Sequence, residues 1–163
     1  MTRFVIDAGV GLYLVAGGIE VNPKHELLAP TLFRSQTLSL AHEPVRRGEI
    51  PANVAFEQLE KLWQIKIRLL GDAVPRRLAW KIADRLEDMS TYKAEYLALT
   101  QLQGDAFVTL DTGLARRVEG IVAVATVNDL REYGSHGVAR FRRIEEWWWL
   151  PNHLRQPFMN SPG

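Results

Sequence analysis

Short apolar runs alternate along this chain with longer stretches whose apolar residues recur every three or four positions. "RFVID", residues 3–7, places Phe4, Val5 and Ile6 in a row and stops on an acid. Such a run suits a strand covered on both faces, as strands of parallel sheets are. "AGVGLYLVAGG" follows and reads as a helix closed by Gly17 and Gly18. "ELLAP" predicts a second strand. Thr31 is the expected cap of a helix running to about Ala41, with Leu32, Phe33, Gln36 and Leu40 at near-helical spacing and Pro44 ending it. "RRGEIP" is a turn, "PANVAFEQLEKLWQI" a helix with Pro51 in its first turn, and "KIRLLGD" a third strand. Val74, Leu78, Ile82 and Leu86 mark the next helix. Residues 90–111, "STYKAEYLALTQLQGDAFVTLD", predict a short helix and then a strand ending on Asp111. "GLARRVE" and "IVAVAT" give a last short helix and a last strand.

Strands alternating with helices argue for an α/β sandwich around a mostly parallel sheet. The chain shows no internal repeat and no low-complexity segment. From about Gly134 the periodicity breaks down. The pattern therefore divides the chain into one domain, residues 1–133, and a Trp-rich C-terminal extension, residues 134–163. Trp147, Trp148 and Trp149 cannot all hide on one face of a helix or strand. They are expected either to cover a subunit or partner surface or to pack back on the domain.

Composition narrows the chemistry. The 163 residues are 47% hydrophobic, enough for a sizeable core. Twenty basic and 19 acidic residues give a net charge of +1, so no global field draws the protein to nucleic acid or membrane, and any charged site must be local. There is no cysteine, hence no disulfide and no thiolate zinc site, which suits a reducing cytoplasm. The four histidines lack ligand spacing. The first apolar run breaks at Asp7, unlike a secretory signal, and no run approaches the roughly 18 apolar residues of a membrane span.

Ligands of open parallel sheets bind beyond the carboxyl ends of the strands. Two strands end on an acid at that edge, at Asp7 and at Asp111, with Thr109 on the same strand face two residues before the latter. If the strands are neighbours, the carboxylates approach each other, and clustered carboxylates suit Mg2+. The plainer alternative is that each aspartate caps the helix that follows it.

The stretches "FVIDAGVGLYL", "ELLAPTLFRSQTLSL", "IRLLGD", "RRLAWKIADRL", "STYKAEYLALTQLQGDAFVTLD" and "VAVATVNDL" together resemble the PIN domain, specifically the VapC toxins of type II toxin–antitoxin pairs. They span most of the chain in the family's order. The resemblance implies a five-stranded parallel sheet with helices on both faces. It also implies a Mg2+- or Mn2+-dependent endoribonuclease site built on clustered acids, with RNA as substrate and a cognate antitoxin whose tail lies across the groove. A homodimer is a further expected partner. The family's first acid matches Asp7 and the acid of "VTLD" matches Asp111. Its second acid falls in a stretch ending Arg-Ser-Glu, here "RSQ", so Gln36 stands there. Its third is the aspartate of Tyr-Asp-Ala-Glu-Tyr, here "YKAEY", so Lys93 stands there.

The formal charge of these four positions thus rises from −4 to −1. A cation beside Mg2+ is worse than a missing ligand. Lys93 is expected to bridge Asp7 and Asp111 in place of the ion, the alternative being a lysine that points to solvent. Glu43, Glu95 and Asp105 are poor replacements: Glu43 is two turns from Gln36, Glu95 faces away from Lys93, and Asp105 lies at the wrong end of its strand. The implied protein is weakly catalytic or non-catalytic. The other reading is an active metal-dependent ribonuclease using Asp7 and Asp111.

Overall fold

The computed structural model describes residues 1–71 and 76–131. The extension 134–163 with Trp147–Trp149, the boundary before it, and the helix mark Val74 lie outside the described residues.

Five strands form one sheet: β1 (Arg3–Ile6), β2 (Glu26–Ala29), β3 (Ile67–Leu69), β4 (Ala106–Val108) and β5 (Val124–Ala125), in the order β3-β2-β1-β4-β5. Every pairing is parallel. Among the described residues six α-helices accompany them: α1 (Ala8–Ala16), α2 (Leu32–Arg46), α3 (Ala52–Gln64), α4 (Arg76–Leu86), α5 (Tyr92–Gln103) and α6 (Thr112–Arg117). A 3-10 turn at Val127–Leu130 closes the described chain. Helices α1, α2 and α3 pack on one another, while α4 packs on α5 and α5 lies against β1 and β4. The chain winds outward from β1 through β2 to β3 and then returns across to β4. Right-handed crossovers in opposite directions place the two helical groups on opposite faces. The α/β sandwich expected from the alternation is the observed fold.

The buried core explains the apolar runs. Phe4, Val5 and Ile6 of β1, Leu27 and Leu28 of β2, and Phe107 and Val108 of β4 are all buried. Helix α1 approaches its neighbours closely at Gly11, where an added Cβ would sit 2.7 Å from Phe33 Cζ. A glycine is therefore required at the centre of "AGVGLYL" by packing rather than by backbone conformation.

Several boundaries differ from the sequence expectation. Pro44 does not end α2 but sits inside its last turn. The helix closes at Gly48, φ +74°, where the Glu49 and Gly48 N–H groups donate to the Pro44 and Val45 carbonyls. This left-handed glycine closure sets the end, and a proline so near a helix terminus forfeits only one backbone bond. Thr31 is already helical and makes no side-chain cap. Pro30 C=O accepts from Phe33 N–H at 2.9 Å instead. β4 stops at Val108, short of the predicted "AFVTL", and β5 holds only Val124 and Ala125 of "IVAVAT". Ile121 and Val122 both turn back to the Val118 carbonyl after Gly120, φ +82°.

Candidate functional site

The strand order reverses between β2-β1 and β1-β4, so the crevice at the carboxyl ends of β1 and β4 is the switch point where such sheets bind ligands. Ile6 pairs with Val108, which brings Asp7 and Thr109 level just past the paired residues. Thr109 Oγ1 donates to Asp7 Oδ2 at 2.5 Å and accepts from the Asp111 N–H at 3.1 Å. One hydroxyl thus ties the two acidic ends together.

Both readings of the aspartates are realised at once. Asp7 caps α1, its Oδ1 accepting from Val10 N–H at 2.9 Å. Asp111 caps α6 in the same way, accepting from Leu114 N–H at 2.9 Å. Capping occupies Oδ1 of each. Asp7 Oδ2 is held by Thr109, and Asp111 Oδ2 makes no hydrogen bond with a described residue.

The groove beyond these residues has a volume of about 640 Å³. Asp7 and Asp111 line its floor side, Gln36 and Glu43 line it from α2, and Lys93 and Tyr96 line it from α5. All four positions of the acid set therefore meet in one groove. Lys93 does not bridge the carboxylates: its side chain is exposed and forms no ion pair with a described residue. At the first turn of α5 its ammonium is better solvated than it would be in contact with two carboxylates already engaged in capping.

Tyr96 and Glu43 are the groove residues that sequence reasoning missed or set aside. Tyr96 is buried and donates its hydroxyl to Gln36 Oε1 at 2.5 Å, fixing that amide across the α2–α5 gap. Its spacing three residues after Lys93 was the available signal. Glu43 lies along the α2 stripe Leu32, Gln36, Leu40, Glu43, which lines the groove lengthwise. It is exposed and 3.8 Å from Arg47. Asp105 lies at the opposite, amino edge as expected, accepting from the Arg3 N–H at 2.7 Å. Glu95 is half-buried and is not part of the groove lining.

Burial pushes the Asp7 carboxyl from an ordinary value near 3.8 up to about 6, against the lowering effect of the Thr109 and Val10 bonds, with the Asp111 charge adding to the rise. Burial also raises the Tyr96 phenol, helped by Asp7 and Glu95, so it remains a hydrogen-bond donor. Thr109→Val should push the Asp7 value above 6, because it removes a hydrogen bond that favours the carboxylate. It should also cost about 1–2 kcal/mol of stability by stranding the Asp111 N–H. Carboxyl NMR titration and denaturant melts read the two effects. An unchanged Asp7 titration would refute the bridging role of the hydroxyl.

Of the four positions only Asp7 and Asp111 bring carboxylate oxygens, and the Lys93 ammonium lines the same groove, a donor set poor in negative charge for a divalent ion. Among the described residues no group of three or more His, Cys, Asp or Glu side chains is arranged to hold an ion.

No family model and no curated protein matches the chain. Among solved structures it is similar to the crystal structure of PAE2754 from Pyrobaculum aerophilum. The TM-score is 0.62 at 21% identity, over 79% of this chain and 93% of that one. The likeness is one of fold. No helix among the described residues is long and apolar enough to cross a membrane.

Proposed function

We propose that this chain is a VapC-like PIN-domain protein whose groove has given up tight Mg2+ or Mn2+ binding and serves as an RNA-binding surface with little or no nuclease activity. The observation that carries this reading is the meeting of Gln36 and Lys93 with Asp7 and Asp111 in one groove, at the positions where the resembled family has acids. The order of the motifs and the parallel sheet with its switch-point crevice support it. A cognate antitoxin protein and a cytoplasmic setting belong to the same proposal.

Two observations favour the alternative, an active ribonuclease using Asp7 and Asp111. Position 7 is an aspartate although burial penalises its charge, and Asp111 Oδ2 is left unengaged by the described residues. Calorimetric titration with Mn2+ and a fluorescent-RNA cleavage assay on the unmodified chain separate the two. The proposal expects weak Mn2+ binding, retained RNA in a gel shift, and slow or undetectable cleavage. Tight Mn2+ binding that Asp7→Ala abolishes would return the protein to the active nucleases.

A further inference from the structure

A second cleft, of about 630 Å³, lies between α2, the end of α3 and β3, the strand at the edge of the described sheet. It is lined by Arg34, Trp63, Ile65, Ile67 and Leu69. Trp63 is 49% exposed, which is unusual for so large an apolar ring. The Arg34 guanidinium carbon stands 5.8 Å from the centre of that ring, within cation–π range. Arg34 is exposed and forms no ion pair with a described carboxylate.

We infer that Arg34 and Trp63 form a stacking platform for a base of single-stranded RNA, with the Arg34 charge beside its phosphates. Flat aromatic and guanidinium surfaces are what unpaired bases stack on, and a base has a π-face whatever its identity. A guanidinium that no described carboxylate pairs with, beside an apolar wall, complements a ligand that alternates flat rings with negative charge. It is a poor match for the edge strand of a second copy, which would have to bury that charge. Position strengthens the assignment. Arg34 is next in sequence to Ser35, which lines the groove of Asp7 and Lys93. A single strand leaving that groove over the first turn of α2 therefore meets the platform. The inference rests on the reading of this protein as an RNA binder and adds a second contact to it.

The test is binding of a short fluorescein-labelled oligouridylate to the full chain, by anisotropy at several salt concentrations. Trp63→Ala should weaken binding about tenfold, the loss of one stacked base, while Trp63→Phe should restore most of it. Arg34→Ala should weaken binding and lower the salt slope by about one. Photocrosslinking with 4-thiouridine should map to the peptide carrying Trp63. Circular dichroism melts establish that each variant is folded. Unchanged affinity in Trp63→Ala while Lys93→Ala weakens binding overturns the platform and leaves the groove reading intact. Sensitivity to Trp63 but not to Lys93 supports the platform and counts against the groove. No binding by the unmodified chain overturns both. A dimer in sedimentation that Trp63→Ala dissociates, with RNA affinity unchanged, would assign this face to a second copy instead.

Discussion

Lys93→Asp should tighten Mn2+ binding about 100-fold. The change removes a positive charge and adds a negative one beside a divalent ion. At about 6 Å in a water-like dielectric, suited to an exposed side chain, the four unit-charge products amount to about 2.8 kcal/mol. That is a factor of about 100 in affinity. Gln36→Glu alters the charge by one unit, so about tenfold is expected from the same arithmetic. The Tyr96 hydroxyl that now donates to Gln36 Oε1 would donate equally well to a carboxylate there. The double variant should bind tightest and should be the one that cleaves RNA. Calorimetry on the unmodified chain, both single variants and the double variant gives the order directly. If Lys93→Asp leaves Mn2+ affinity unchanged, the lysine is not what keeps metal out.

Asp7→Asn should stabilise the fold at neutral pH by about 2 kcal/mol, or roughly 4–8 °C in melting temperature for a chain of this size. Asp7 titrates near 6 in the folded protein because burial disfavours its charge. In the unfolded chain it ionises near its ordinary value. Between about pH 4 and pH 6 the folded state therefore holds a proton that the unfolded state has lost. By linkage, this contribution makes stability fall as pH rises through that window and level off above it. Asparagine removes the charge while keeping a cap oxygen for Val10 N–H. Its contribution should accordingly be flat over the same range. Denaturant melts of both proteins from about pH 4 to pH 7.5 test the sign. Loss of stability in the variant at pH 7 would mean that the ionised carboxylate is a favourable member of the fold.

The alternation of "RFVI", "ELLA" and "AFV" with helical periods made the layered architecture readable, because strands buried on both faces leave unbroken apolar runs. Their ends were harder. β5 has two residues and β3 three, and pairing with a neighbour rather than local propensity decides where such strands stop. Pro44 looked like a terminator because proline forfeits a backbone bond, yet the cost is small in a last turn that Gly48 closes.

At the site, the sequence placed Asp7 and Asp111 because their position follows from where β1 and β4 end. It could not place the Lys93 ammonium, since a flexible side chain in the first turn of α5 has the choice between solvent and carboxylates. Glu43 was set aside on its distance from Gln36 along α2. It lines the same groove further along that helix, where it stands 3.8 Å from Arg47. Tyr96 stood in plain view within "YKAEY", but its bond to Gln36 crosses 60 residues and no local pattern reports it.

The bond from Thr109 to Asp7 joins residues 102 apart. Its consequence concerns the order in which the molecule can come into being. Of the described strands β1 is made before the others, but β4, which completes its crevice, follows about 100 residues later, and pairings of long sequence separation are the slow ones to form. A nascent chain emerging from the ribosome cannot possess the groove until Asp111 is free of the exit tunnel, because no shorter fragment contains both walls. Whatever this surface binds is therefore out of its reach while the first hundred or so residues from β1 onward are being made.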